Sequence, residues 1–209
     1  MDQNVKTSLE TLSEIKHLME RSSRFISLSG LSGVFAGVYA LLGAYAAYVY
    51  MNSSGIRSSD TYSTKTADFA GYTFFFIDAA LVLVLAIGTG IFLTTRKARK
   101  DGSSIFDLTA KKLLLNLCIP LFAGGIFCLA LIAHGSIIYI APVMLIFYGL
   151  SLINASKYTH SDVRALGLIE MLLGLTSSFI LGYGLLFWSI GFGACHILYG
   201  TYMYFKYEK

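Results

Sequence analysis

Three ionisable side chains lie inside long apolar runs: Asp78 in FFFIDAALVLVL, Glu170 in GLIEMLLG and His196 in GACHILYG. An ionisable group in hydrocarbon must be paired, wetted by a cavity or used, so these three are the first candidates for chemistry. At a rise of about 1.5 Å per residue, Asp78 lies roughly 13 Å and His196 roughly 15 Å below the outer starts of their runs, close enough in depth for the two to meet near the midplane. Glu170 lies about 10 Å from the opposite side. Ser151 and Asn154, on the preceding run, reach toward that depth and are its expected partners. A carboxylate and an imidazole in contact can pass a proton, so one reading is a proton or substrate relay. The other is polar glue between helices, which buried polar groups supply simply by needing partners. Transporters of this type show broken helices or converging carboxylates. Here only Pro120 and Pro142 interrupt the runs, which favours glue.

The elements that must hold these residues follow from composition. The chain is 56% hydrophobic and 13% charged, with a mean hydropathy of +0.66. A soluble domain carries about 25% charged residues. About 20 predominantly apolar residues cross a hydrocarbon core of about 30 Å. Six runs meet that need: 25–51, 69–95, 113–133, 137–155, 163–183 and 186–205, with Gly182, Tyr183 and Gly184 as the breakers between the last two. The expected fold is all-α, a polytopic six-helix transmembrane bundle in contact with the lipid bilayer. A cytoplasmic amphipathic helix over 1–24 precedes it, and a short cytoplasmic tail, 206–209, follows.

Orientation comes from the basic residues. With six spans, fourteen of the 16 lysines and arginines fall on one side, among them Arg21, Arg24, Arg96, Lys97, Arg99, Lys100, Lys111, Lys112, Lys206 and Lys209; only Arg57 and Lys65 fall on the other. This predicts a multi-pass membrane protein with both termini cytoplasmic. The net charge of +4 then reports topology, and no nucleic-acid partner is expected. The first 24 residues hold no apolar signal-peptide core, so the first span is expected to be an uncleaved anchor.

Small residues mark how the spans pack. In lipid, helices associate through close approach and interhelical hydrogen bonds, because lipid tails are as apolar as leucine. Ser29, Gly33 and Gly37 are four apart on one face of the first span; Gly167 and Gly174 are seven apart in the fifth, and Gly193 and Gly200 seven apart in the sixth. These faces are expected to pack within the bundle, and the first also admits oligomerisation. Phe35-Ala36-Gly37 matches Phe122-Ala123-Gly124, and Tyr148-Gly149 matches Tyr199-Gly200. The matches suggest three helical-hairpin repeats.

Outside the membrane, Val5, Leu9, Leu12, Ile15 and Met19 recur at helical spacing, and Thr7 with Glu10 forms a capping box. This N-terminal helix either lies on the membrane surface or docks a cytosolic protein partner. The external stretch 52–68 is a Ser/Thr-rich connector, and the basic stretch 96–112 suits anionic headgroups. Cys118, Cys128 and Cys195 lie inside spans without a CxxC pair and read as buried thiols. No metal-ligand cluster, phosphate-binding glycine loop or cofactor motif is present in the sequence, so neither a metal nor a cofactor is expected.

Two sets of residues carry resemblances. Gly149-Leu150-Ser151 in the fourth run, with His196 and Gly200 in the sixth, is similar to the rhomboid intramembrane proteases, which would make Ser151 a nucleophile and His196 its base. The second run lacks the His and Asn that this family uses at its oxyanion site. Ser151 also lies about 21 Å deep against roughly 15 Å for His196. The stretch MERSSRFISLSGLSGVFAGVYALLGAYAAY, Met19 to Tyr48, resembles the start of an uncharacterised six-span membrane protein family of Bacteroidota, which implies the topology but no activity. The glycine-rich hairpins from Leu113 onward resemble the bacterial acid-resistance membrane proteins. The leading expectation is a non-enzymatic structural, binding or regulatory membrane protein. A small proton-coupled transporter or channel using Asp78, Glu170 and His196 is the alternative.

Overall fold

The structure, a computed structural model, describes residues 29–54, 69–100 and 108–209, with the backbone alone for 69–72. The N-terminal amphipathic helix, most of the external connector and the centre of the basic loop lie outside the described residues. Among the described residues every regular element is helical: α1 Gly30–Ser53, α2 Phe69–Lys100, α3 Leu108–Ala133, α4 Ile140–Ala155, α5 Asp162–Phe179, α6 Gly184–Trp188 and α7 His196–Tyr207. Single 3-10 turns, Ile137–Tyr139 and Ser156–Tyr158, flank α4, and a π-helical segment, Ser189–Cys195, joins α6 to α7. In lipid every backbone polar group needs an internal partner, and helices supply it within one segment.

Among the described residues five stretches are long and apolar enough to cross a membrane: α1, Thr73–Lys100 of α2, α3, Ile137–Tyr158 and Gly184–Tyr207. Leu42, Ile77, Val84, Phe92, Ile119 and Phe122 are exposed on their outer faces, as lipid contact requires. The remaining helix, α5, has 18 residues and carries Asp162, Arg164 and Glu170. The chain is thus an all-α membrane protein with five to six long apolar helices. The expected spans become helices with shifted ends: α2 runs on to Lys100, α3 starts at Leu108 and α5 stops at Phe179. The break expected between the last two spans is present, and Gly182 makes it with a φ of 92° that a side chain would strain.

Glycines set the neighbours. A Cβ on Gly33 would lie 3.2 Å from the Gly200 Cα, and one on Gly200 would lie 2.5 Å from the Val34 backbone nitrogen. The small face of α1 therefore lies directly on α7, so this face is used inside the chain. Gly149 and Gly167 bring α4 and α5 together in the same way, since a Cβ on Gly149 would meet the Gly167 carbonyl at 2.5 Å. Gly174 packs on Pro142 and Ile146, and Gly193 on Leu41. The helices run in the lateral order α2, α1, α7, then α5 and α4, then α3. The last helix lies closest to the first and α5 closest to α4, so the chain does not pack as three independent hairpins.

One end of the bundle gathers Gly30, Lys97, Lys112, Lys157, Arg164 and Lys206, and is called the basic end below. Residues 206–208, at the start of the expected cytoplasmic tail, contact the bundle there. Ser29 precedes α1 without a side-chain cap of its own. Instead the Glu208 carboxylate accepts the Gly30 N–H, receives the Ser29 hydroxyl at 3.4 Å and faces Lys97 Nζ at 3.5 Å. A carboxylate is favoured at a helix N-terminus, where backbone N–H groups lack partners. Glu208→Ala should cost about 1 kcal/mol, the usual scale for a lost cap. Glu208→Gln should recover part of it, read as thermal midpoints in detergent.

Candidate functional site

The seam between the α1–α2–α7 side and the α3–α4–α5 side is formed by α6 against α4 and the π segment against α5. Among the described residues two acids of α5 reach across it to α7, and a hydrogen bond between Tyr148 of α4 and His196 of α7 crosses it as well. At the basic end, Asp162 accepts hydrogen bonds from Lys206 Nζ at 2.7 Å and the Tyr207 hydroxyl at 2.8 Å. The His160 ring packs 4.0 Å from the Tyr207 ring. Partial burial alone would pull the Asp162 pKa up, but these hydrogen bonds and the Lys206 charge outweigh it and hold the carboxyl below its ordinary range. A carboxylate depressed on folding stabilises above its unfolded pKa of about 3.9, and that stability is lost as pH falls through the lower, folded value. The wild type should therefore out-melt Asp162→Asn at pH 7, and the gap should close below about pH 4. Thermal scans of both proteins across that range check it.

Eight residues further along α5, about 12 Å deeper, lies Glu170. It is 0% exposed. Its Oε1 stands 3.3 Å from Nδ1 of His196, which is 7% exposed. The same Nδ1 faces the Gly191 carbonyl at 3.0 Å, and His196 Nε2 is 2.7 Å from the Tyr148 hydroxyl. A carbonyl only accepts, so Nδ1 carries a hydrogen. Nε2 then accepts from Tyr148 when the ring is neutral and donates to it when the ring is charged.

The backbone is built for this contact. The π segment shifts the register of the helix, and Gly191 and Gly193, both weak helix formers, make that shift inexpensive. It sets the Gly191 carbonyl beside the His196 ring, five residues on. A side chain at Gly191 would collide with Glu170 Oε2, so glycine is what admits the carboxylate. Phe192, 5.0 Å from the Tyr148 ring and 5.1 Å from Trp188, closes the aromatic side. Among the described residues neither Glu170 oxygen finds a hydrogen bond of good geometry, and the Tyr199 and Ser177 hydroxyls are also buried without one. Among these residues the carboxylate thus rests on the imidazole.

The structure pairs the candidates differently from the depth argument. His196 meets Glu170, and Asp78 does not meet His196. Asp78 stands on α2 against Gly43 of α1, partly exposed, and accepts no hydrogen bond among the described residues. Ser151 and Asn154 do not meet Glu170. Ser151 donates to the Phe147 carbonyl at 2.7 Å, and Asn154 donates to the Asn116 carbonyl at 2.9 Å, tying α4 to α3. Ser151 is therefore not bonded to His196, as a nucleophile and base would be. Tyr148 and Gly191 belong to the site and are new to it. Tyr148 stood out in the sequence only as part of the Tyr-Gly match, and Gly191 had no signal beyond a local excess of glycine.

Fold and site together define a helical membrane protein with a sealed carboxylate–imidazole–phenol centre between its last and fifth long helices. The chain matches no protein-family model, no curated protein and no solved structure.

Proposed function

We propose that this chain is a six-span protein of the bacterial inner membrane with both termini in the cytoplasm, acting without catalysis as a structural, binding or regulatory component. The sealing of Glu170 carries the reading: at 0% exposure its carboxylate is committed to His196 and ties two sides of the bundle together. Alternating access calls for a site that opens to each side in turn, and a packed ion pair suits a fixed shape better. α5 serves as the sixth span in this reading, its two acids turned to the last helix. The basic end supports the orientation, since cytoplasmic loops carry the excess of lysine and arginine. The N-terminal segment, 1–24, is the proposed dock for a cytosolic partner. The likeness of Met19–Tyr48 to the six-span Bacteroidota family agrees with this topology.

A second reading, a small proton-coupled transporter or channel, draws on one observation: Asp78 sits within an apolar helix without a hydrogen-bond partner among the described residues. Proton flux into proteoliposomes separates the two. We expect wild type, Asp78→Asn and Glu170→Gln to leak no faster than protein-free vesicles. Wild-type flux abolished by Asp78→Asn would establish transport instead.

A further inference from the structure

We propose that the Glu170–His196 pair is a proton-binding site inside the membrane, and that taking up one proton loosens the seam between α5 and the π segment. The inference rests on the pair being the seam's lock, as argued above. Proton counting carries it. With one exchangeable proton between them, the two groups are net neutral, either as carboxylate and imidazolium or as carboxylic acid and imidazole. A proton taken from water onto the Glu170 carboxylate, with His196 already charged, leaves a neutral acid facing a cation. The attraction between Glu170 and His196 is then gone, and a buried charge is left uncompensated, which is costly in an apolar surrounding.

The surroundings offer nothing to absorb that charge. Facing the pair are Tyr148 from α4 and Cys195 from the π segment. Neither is a carboxylate. The nearest other ion pair, Asp162 with Lys206, sits about 12 Å away at the basic end and is already satisfied. The other half of the lock is already committed as well: His196 spends Nδ1 on the Gly191 carbonyl and Nε2 on Tyr148. The centre therefore has one stable proton count, and the neighbouring count disfavours the closed seam.

The protein carries its own reporter. Trp188 is the single tryptophan of the chain. It lies 5.1 Å from Phe192, whose ring is 6.0 Å from His196. The test is Trp188 emission of the full chain in zwitterionic vesicles, titrated from about pH 9 to about pH 4, a range that spans imidazole and carboxyl titration. We expect one single-proton step in the wild type and in Asp162→Asn, and no step at that pH in Glu170→Gln or His196→Gln, where any titration of the remaining partner falls at a different pH. Infrared difference spectra of the wild type should gain a protonated-carboxyl stretch over the same step, a reading that requires no variant. A wild type flat in both signals, with both variants less stable, would sink the proton site while leaving the lock intact. A step that persists at the same pH in both variants would place the titration elsewhere and equally overturn the proposal. Variants as stable as the wild type would remove the lock itself.

Discussion

Gly200→Leu is expected to separate α1 from α7 and to abolish the folded bundle. A Cβ at Gly200 alone would lie 2.5 Å from the Val34 nitrogen, 2.6 Å from the Gly30 carbonyl and 2.9 Å from the Gly33 carbonyl carbon. All three are backbone atoms of α1, so no rotamer change relieves the clash. Overpacking in an ordinary core costs about 1–3 kcal/mol because side chains can give way. Here a whole helix must move. Moving it also breaks the neighbouring contacts of Gly30, Gly33 and Gly37 and the cap that Glu208 places on α1. In lipid no hydrophobic term compensates, since the separated faces meet acyl chains instead of each other. Gly200→Ala should already lose several degrees of thermal midpoint, and Gly200→Leu should yield no monodisperse protein in detergent. Gly125, whose added Cβ would meet nothing within 4 Å, is the control: Gly125→Ala should be silent.

The second large effect is expected at Glu170. Glu170→Ala removes a side chain with 0% exposure and leaves His196 without its buried partner. Removing one member of a buried pair costs about 3–5 kcal/mol, largely because the survivor is stranded. Replacing both members by apolar residues is commonly far milder. The double variant Glu170→Leu with His196→Leu should therefore be more stable than Glu170→Ala. Denaturant titration in mixed micelles reads both. Equal losses in the two would mean that Glu170 acts by filling space and that its charge is incidental.

Much of the architecture was legible because lipid imposes strong rules on sequence. Apolar length marks the spans, glycine spacing marks the close faces, and both Gly33–Gly200 and Gly149–Gly167 contacts fall on rows that the spacing had singled out or adjoined. The break between the last two spans was less sharply marked: Gly182, Tyr183 and Gly184 all offered it, and Gly182 takes the positive φ. The pairing of the ionisable residues was not. Depth is a one-dimensional coordinate: it placed Asp78 and His196 level, and it cannot tell which helices are neighbours. Here α2 and α7 pack on different rows of α1, Asp78 faces Gly43, and His196 turns to α5. The π segment was invisible for a related reason. It arises where Gly191 must admit a carboxylate from another helix, and a single chain segment holds no record of that neighbour.

The central claim is that Glu170 and His196 act as one unit across the seam. A double-mutant cycle with Glu170→Gln and His196→Gln measures this most directly, as unfolding free energies in one detergent at pH 7. Independent sites add within about 0.5 kcal/mol, whereas contacting residues couple by up to about 3 kcal/mol. We expect a coupling energy of about 2 kcal/mol, with the double variant losing scarcely more than either single one. Additive losses would contradict the account and leave the two residues as unrelated buried polar groups.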